Sequence, residues 1–275
     1  MKAIQRAIKM ELFSRKELDP DSSARQIKTL SEFDRGLLRP TRCDTSEPPR
    51  ERFDPNDMSE PVRWLSQPGA YFQFKQSKPF RIEGFIHNRK RGELWTRERE
   101  GGPLVAVLPK FPEPLFTTHW VLWFGWSLVE SKGVDVLKRF VKEAFVASRS
   151  DYGYLALEEE QKSKNLLVTE DQRKTTTKFV GNDPEYGLPG LYWINVFGPV
   201  YTAWFGTALA RVPAAIETVQ GDSILVQFGD SPEDWRSEGV VESQRRTTEV
   251  LGRDRFFSLA DPDRPRQTPF SAPGR

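Results

Sequence analysis

The stretch Gly187 to Gly206, GLPGLYWINVFGPVYTAWFG, constrains the fold of this chain more than any other. Its apolar run Leu191, Tyr192, Trp193 and Ile194 lies between two turn signals, the Leu188-Pro189-Gly190 corner and Gly198-Pro199. Short, bounded and rich in aromatic and branched residues, the part before Gly198 reads as a strand of about seven residues. Beyond it, Val200, Trp204, Ala208 and Leu209 recur at helical spacing, with Pro199 placed for a first helical turn. A buried strand turning into a short amphipathic helix belongs near the middle of a core. Its residues read as structural: Gly187, Pro189, Gly190, Gly198 and Pro199 shape the backbone, and Trp193, Asn195 and Trp204 fill and fix the interior.

Around this unit the pattern is that of an α+β protein, a mainly antiparallel sheet with amphipathic helices packed against it. Strands are expected at Tyr71 to Phe74, Phe80 to Ile86, Leu94 to Thr96, Pro103 to Leu108 and Asp151 to Leu157. Leu115 to Val129 fits both periods, and Thr117, Thr118 and Gly125 favour a strand there. Val134, Leu137, Phe140, Val141, Ala144 and Phe145 make one apolar stripe of a helix ending near Ser148. Ala215 to Val219 and Ile224 to Phe228 are separated by Gln220-Gly221-Asp222-Ser223, a hairpin signal. Ser231-Pro232-Glu233-Asp234 supplies an N-cap, a first-turn proline and acids, a polar segment comes next, and a short element is expected at Val250 to Phe257.

The division expected is an irregular or partly helical arm over residues 1–60, a single core over 61–260 and an extended tail over 261–275. Ile4, Ile8 and Leu12 are spaced for a short N-terminal helix, and Pro40, Pro48, Pro49 and Pro55 interrupt the remainder of the arm. Glu158 to Gly181 is almost wholly polar and reads as a long surface excursion, the kind of segment that carries function or motion.

Composition narrows the chemistry. The 41 basic and 39 acidic residues nearly balance, so there is no general field to draw nucleic acid or an acidic membrane. Leu115 to Val129, at about fifteen residues, is too short to span a bilayer comfortably, and no signal peptide is evident. The single cysteine, Cys43, excludes an intrachain disulfide and agrees with a cytoplasmic setting. The two histidines, His87 in a basic turn and His119 beside Trp120, belong to no metal-ligand pair. No nucleophile elbow, phosphate loop or dinucleotide fingerprint is present, so no catalytic residue, metal or cofactor is expected. Asp151, Asp183, Glu185 and Asp230 each have an ordinary role as turn or cap.

Three stretches together carry a resemblance: GLPGLYWINVFGPVYTAWFG, the strand and helix from Thr118 to Ala147, and LGRDRFFSLADPDRPRQTPF near the end. The chain resembles the bacterial type VI immunity family, close to immunity protein fifty-two, over about Phe80 to Phe270. The resemblance implies a cytoplasmic α+β protein without enzymatic activity that binds and neutralises a cognate toxin of a type VI or polymorphic secretion system. It supplies no agreed binding residue, and residues 1–60 depart from the family's simplest form. The partner-binding surface expected from the residues is the excursion, through Glu158, Glu159, Glu160 and Lys178, together with Trp235. Two alternatives stay open: an enzyme whose site joins His119 to dispersed carboxylates, and a nucleic-acid-binding accessory.

Overall fold

The first strand of the chain runs through the middle of its sheet. The computed structural model describes residues 6–89, 115–171 and 174–270. In it β1 (Ala7–Ser14) pairs antiparallel with β6 (Thr118–Gly125) on one side and β7 (Tyr152–Leu157) on the other. This overturns the expected N-terminal helix, and it puts one part of the expected irregular or partly helical arm into the middle of the sheet. Ile8 and Leu12 lie four apart, a spacing that satisfies a helix and, being even, also one face of a strand. In β1, Ile8, Met10 and Leu12 enter one core, while Lys9, Glu11 and Phe13 point to the opposite side.

From β1 the sheet extends both ways. β5 (Ile82–Asn88), β4 (Ala70–Gln76), β2 (Arg42–Asp44) and β3 (Glu51–Arg52) follow β6; β10 (Ile194–Phe197), β12 (Ser223–Gln227) and β11 (Ala215–Gln220) follow β7. The ten strands are antiparallel throughout, as the α+β reading expected. Cys43, expected in the irregular arm, is buried in β2, where burial and then neighbouring carboxylates push its thiol up to about 11. The strands expected at Leu94 to Thr96 and Pro103 to Leu108 lie outside the described residues.

Each face of the sheet buries its own core. On the first, Ile27, Leu30 and Phe33 of α1 (Pro20–Gly36), Leu128 of α3 (Trp126–Lys132) and Leu137, Phe140 and Phe145 of α4 (Asp135–Ala147) meet Trp120, Leu122 and Phe124 of β6. α2 (Ser59–Leu65) adds Leu65. The second core is aromatic: Tyr152 and Tyr154 meet Tyr192, Phe197 and, from α6 (Pro199–Phe205), Tyr201 and Phe205. Burying a large side chain is worth roughly 1.5–3 kcal/mol, so the two apolar faces of the central strands each hold a layer of helices, joined on the second face by the loop that carries Leu188, Leu191 and Tyr192.

The central GLPG stretch sits where this second core meets the sheet. Gly187 has φ +115°, and a Cβ there would lie 2.7 Å from the Arg266 side chain. Gly198 has ordinary dihedrals, but a Cβ on it would come within 2.9 Å of the Asp151 carbonyl, so proximity rather than φ requires glycine. Pro199 opens α6, and the Asn195 side chain bridges the Tyr192 backbone, accepting from its N–H at 3.2 Å and donating to its C=O at 2.8 Å. Trp193 is buried, and Trp204 is half-buried under Arg255. The described part of the tail drapes over this core, Phe270 packing edge-on against Phe116 and Tyr201.

The supposed surface excursion is built otherwise. Residues 158–165 form α5 (Glu158–Asn165), and Thr175 to Thr177, which showed no pairing pattern, lie in a hairpin of β8 (Leu166–Asp171) and β9 (Lys174–Phe179). Glu160, Gln161 and Asn165 are wholly buried. Glu160 accepts from Lys164 Nζ at 2.6 Å, Gln244 Nε2 at 3.2 Å and the Trp193 N–H at 3.2 Å. Lys164 also donates to the Leu191 carbonyl at 2.6 Å and to Gln244 Oε1 at 2.9 Å. Gln244 belongs to α7 (Glu238–Leu251), a helix whose inward side is Val240, Gln244, Thr247 and Leu251. That half-polar stripe made it read as a polar segment. Truncation Glu160→Ala leaves the Lys164 ammonium without its partner, and Lys164 keeps only a quarter of its side chain exposed. A loss of about 3 kcal/mol in urea unfolding is expected, the lower end for breaking a buried pair. A loss below about 1 kcal/mol, the value for surface pairs, would contradict the keystone role.

Candidate partner interface

Half-buried tryptophans and paired charges gather at the end of the sheet where β1 begins and β6 and β7 end. Arg6 accepts the Trp126 N–H on its carbonyl at 3.1 Å, lays its guanidinium 4.4 Å above the Trp126 ring and pairs with Glu233. Two residues on, Trp235 lies under Arg236 at 4.3 Å, and Arg236 reaches Glu159 of α5 at 3.9 Å. The turn that carries them, Pro232–Arg236, is fixed by the expected cap: Ser231 accepts from the Glu233 N–H, and Asp234 accepts from the Ser231 N–H at 2.8 Å. Trp126 and Trp235 are partly buried and pack against the first core. The guanidiniums over them remain substantially exposed, Arg236 by 70% and Arg6 by 34%. Rigid tryptophans backed by a core and flanked by arginine have the composition of binding hot spots, with acids at the margin to select and steer.

Of the residues expected to bind a partner, Glu159 and Trp235 stand in this rim, and Glu158 lies beside it, paired with Lys162 at 2.9 Å. Glu160 does not: it is fully buried, so its place in a contact surface is withdrawn. Lys178 is half-buried in the β9 arm of the hairpin. The sequence reading missed Arg6 and Trp126, the second hidden in an apolar run. A tryptophan immediately after Gly125, where a strand yields to a helix, was the available signal.

Inside the rim lies a polar network on the second sheet face. Glu11, 3% exposed, has Lys9 at 2.5 Å and Gln161 Nε2 at 3.1 Å on Oε1, and His119 Nε2 at 2.9 Å on Oε2. Burial opposes its ionisation, but the Lys9 ammonium and then the hydrogen bond and charge of His119 outweigh it and hold the carboxyl well below the usual range. An ionised carboxylate only accepts, so the His119 proton sits on Nε2. This carboxylate–imidazole pair, with a glutamate the sequence reading had not proposed, has the form that orients a general base. Here both oxygens are already occupied by protein, and the ring lies flat on Phe13 at 4.5 Å. Among the described residues no group of three or more His, Cys, Asp or Glu is placed to hold a metal ion, and no helix is long and apolar enough to cross a membrane.

The other named carboxylates are tied into the scaffold. Asp151 takes Arg15 at 2.9 Å, and Asp183 accepts from the Glu185 N–H at 3.1 Å. Glu185 accepts from the Phe116 N–H at 3.0 Å and pairs with Arg89 at 3.4 Å. Burial, then the charge of Asp183, raises Glu185 above the carboxylate range. Asp230 stands exposed after β12.

No protein-family model matches the chain, and no curated protein matches it. Among solved structures, the type VI secretion system protein PA0821 of Pseudomonas aeruginosa superposes with a TM-score of 0.54 at 14% identity. The match covers 90% of this chain and 73% of that one, a likeness of fold.

His87 differs from the solvated turn residue expected. It lies in β5, opposite His119, stacked on Tyr71 at 3.8 Å. Burial, then the charges of His119 and Arg89, pushes it down to about 3 from 6.5. Below pH 6.5 the unfolded chain takes up a proton that the folded chain refuses, so stability falls between pH 6.5 and 3. The slope from this group is at most about 1.4 kcal/mol per pH unit. His87→Phe keeps the stacked ring and removes the titration. Urea midpoints measured from pH 7 downward are expected to fall less steeply in this variant; parallel curves would contradict the assignment.

Proposed function

We propose that this chain is an immunity protein that binds and neutralises a cognate bacterial toxin delivered by a type VI or polymorphic secretion system. The observation that carries the reading is the rim of Trp126 and Trp235 held under Arg6 and Arg236 on a rigid sheet end. The fold shared with a type VI secretion system protein supports the setting, and the resemblance in the central and terminal motifs supports the role. On this reading the chain does no chemistry. It covers the toxin's working surface by shape and charge, the tryptophans supplying buried contact and Glu233 and Glu159 selecting the partner.

A second reading has one observation in its favour, the Glu11–His119 pair: a general base acting on a substrate brought to the free edge of the ring. It requires a proton acceptor at Nδ1, the nitrogen that does not face Glu11. His119→Gln separates the two, since a binding protein with that change retains its partner and an enzyme loses turnover.

The test is expression of the product of the gene adjoining this one, as the candidate toxin, alone and together with this chain. Co-purification and restored growth are the expected results. In titrations of the purified pair, Trp235→Ala combined with Arg236→Ala is expected to raise Kd about thirtyfold or more, the effect of losing about 2 kcal/mol at a hot spot. Glu233→Lys should act mainly on the association rate and its salt dependence. Full affinity in the double variant would remove the rim from the interface, and failure to bind and to rescue would remove the function.

A further inference from the structure

β11 closes one end of the sheet: β12 pairs with it on one side, and no described strand lies on the other. An edge of this kind presents a row of unpaired backbone donors and acceptors, which proteins commonly blunt with lysine, proline or a bulge. Ala215 to Thr218, AIET, has no lysine or proline and keeps regular register; the irregularity begins only between Thr218 and Gln220. Ile216 is left 41% exposed on it.

Beside this edge opens a groove of about 630 Å³ between the start of α4, β11, the end of β12 and Ser243 of α7. Ala215 and Glu217 line it from the strand, Asp135 and Lys138 from α4, and Asp230 from the loop after β12. Glu217 is already met by Lys138 at 2.6 Å and by Lys142. Asp135 and Asp230 are exposed and make no ion pair among the described residues. The lining that remains uncompensated is therefore negative.

We propose that β11 accepts an extended segment of another polypeptide as an added antiparallel strand, with a lysine or arginine of that segment seated in the groove. Residues opposite one another in an antiparallel pair point to the same face. The incoming side chain opposite Ala215 therefore enters the groove, where the Asp135 and Asp230 carboxylates make no ion pair among the described residues. Backbone hydrogen bonds along Ala215 to Thr218 supply affinity that is indifferent to sequence, and the basic side chain supplies selection. The groove borders the loop that leads into the tryptophan-bearing turn, where the Asp230 N–H donates to Asp234 at 3.1 Å, and the inference does not rest on the immunity reading.

The experiment selects random ten-residue peptides, displayed on phage, against the full chain, and then titrates synthetic copies of the enriched peptides. Enriched sequences are expected to alternate β-branched residues with at least one lysine or arginine. Their binding should slow amide hydrogen exchange in Ala215 to Thr218 about tenfold or more. Asp135→Lys combined with Asp230→Lys is expected to weaken binding about tenfold or more with the urea midpoint unchanged. Enriched peptides without a basic residue, protection confined to another surface, undiminished affinity in the double variant, or no enrichment would each overturn the proposal. So would a dimer in sedimentation whose β11 amides are protected before any peptide is added, since a second copy would then occupy the edge.

Discussion

The buried contact among Glu160, Lys164 and Gln244 joins two helices that lie far apart in the chain. It ties α5 to α7 and, through the Trp193 N–H and the Leu191 carbonyl, to the strand at the heart of the GLPG stretch. Gln161 carries the same helix onto Glu11 of the first strand, at 3.1 Å, and onto the Tyr154 hydroxyl at 2.7 Å. Asn165 completes it, accepting from the Tyr192 hydroxyl at 2.6 Å and donating to the carbonyls of Val180 and Pro189. A helix with almost no apolar residue is thereby fixed inside the protein. Burial of polar groups is tolerable where they find partners; of these side-chain atoms Gln161 Oε1 has none among the described residues, and the many contacts that are made hold the helix rigid.

That rigidity is what a binding surface requires. Glu159 stands one residue before the buried Glu160, so the side that presents it is held by the side that is locked. Trp126 and Trp235 are braced by the first core. A surface whose anchors are already positioned loses little side-chain freedom on association. The Glu11–His119–Lys9 cluster just behind it holds β1, β6 and α5 in register, and its groups satisfy one another.

Much of the core was legible from the residues and much of the periphery was not, for physical reasons. Where apolar residues recur at a clear period or flank a turn signal, the pattern gave the element: the α4 stripe, the alternation of Tyr152, Tyr154 and Ala156, and the hairpin between Ala215 and Gln227 all stand as it indicates. β1 was misread because a four-residue spacing serves helix and strand alike, and because Lys9 and Glu11 suggest solvent where they in fact pair inside. α5 and α7 were missed as packed elements because hydropathy weighs a side chain in isolation and cannot see that Glu160 and Gln244 face each other across eighty-four residues of chain. For the rim, Trp235 and Glu159 were recognisable by type, whereas Arg6 and Trp126 acquire meaning only when β1 is placed beside β6.

Native-state amide hydrogen exchange on the free protein tests the central claim most directly. If the polar face of α5 is locked into the interior, its hydrogen-bonded amides between Gln161 and Asn165 exchange only through global unfolding, as slowly as those of β1 and β7. Exchange of those amides faster by orders of magnitude, at a rate insensitive to global stability, would mean that the segment opens on its own, and the account of a braced interface would fail.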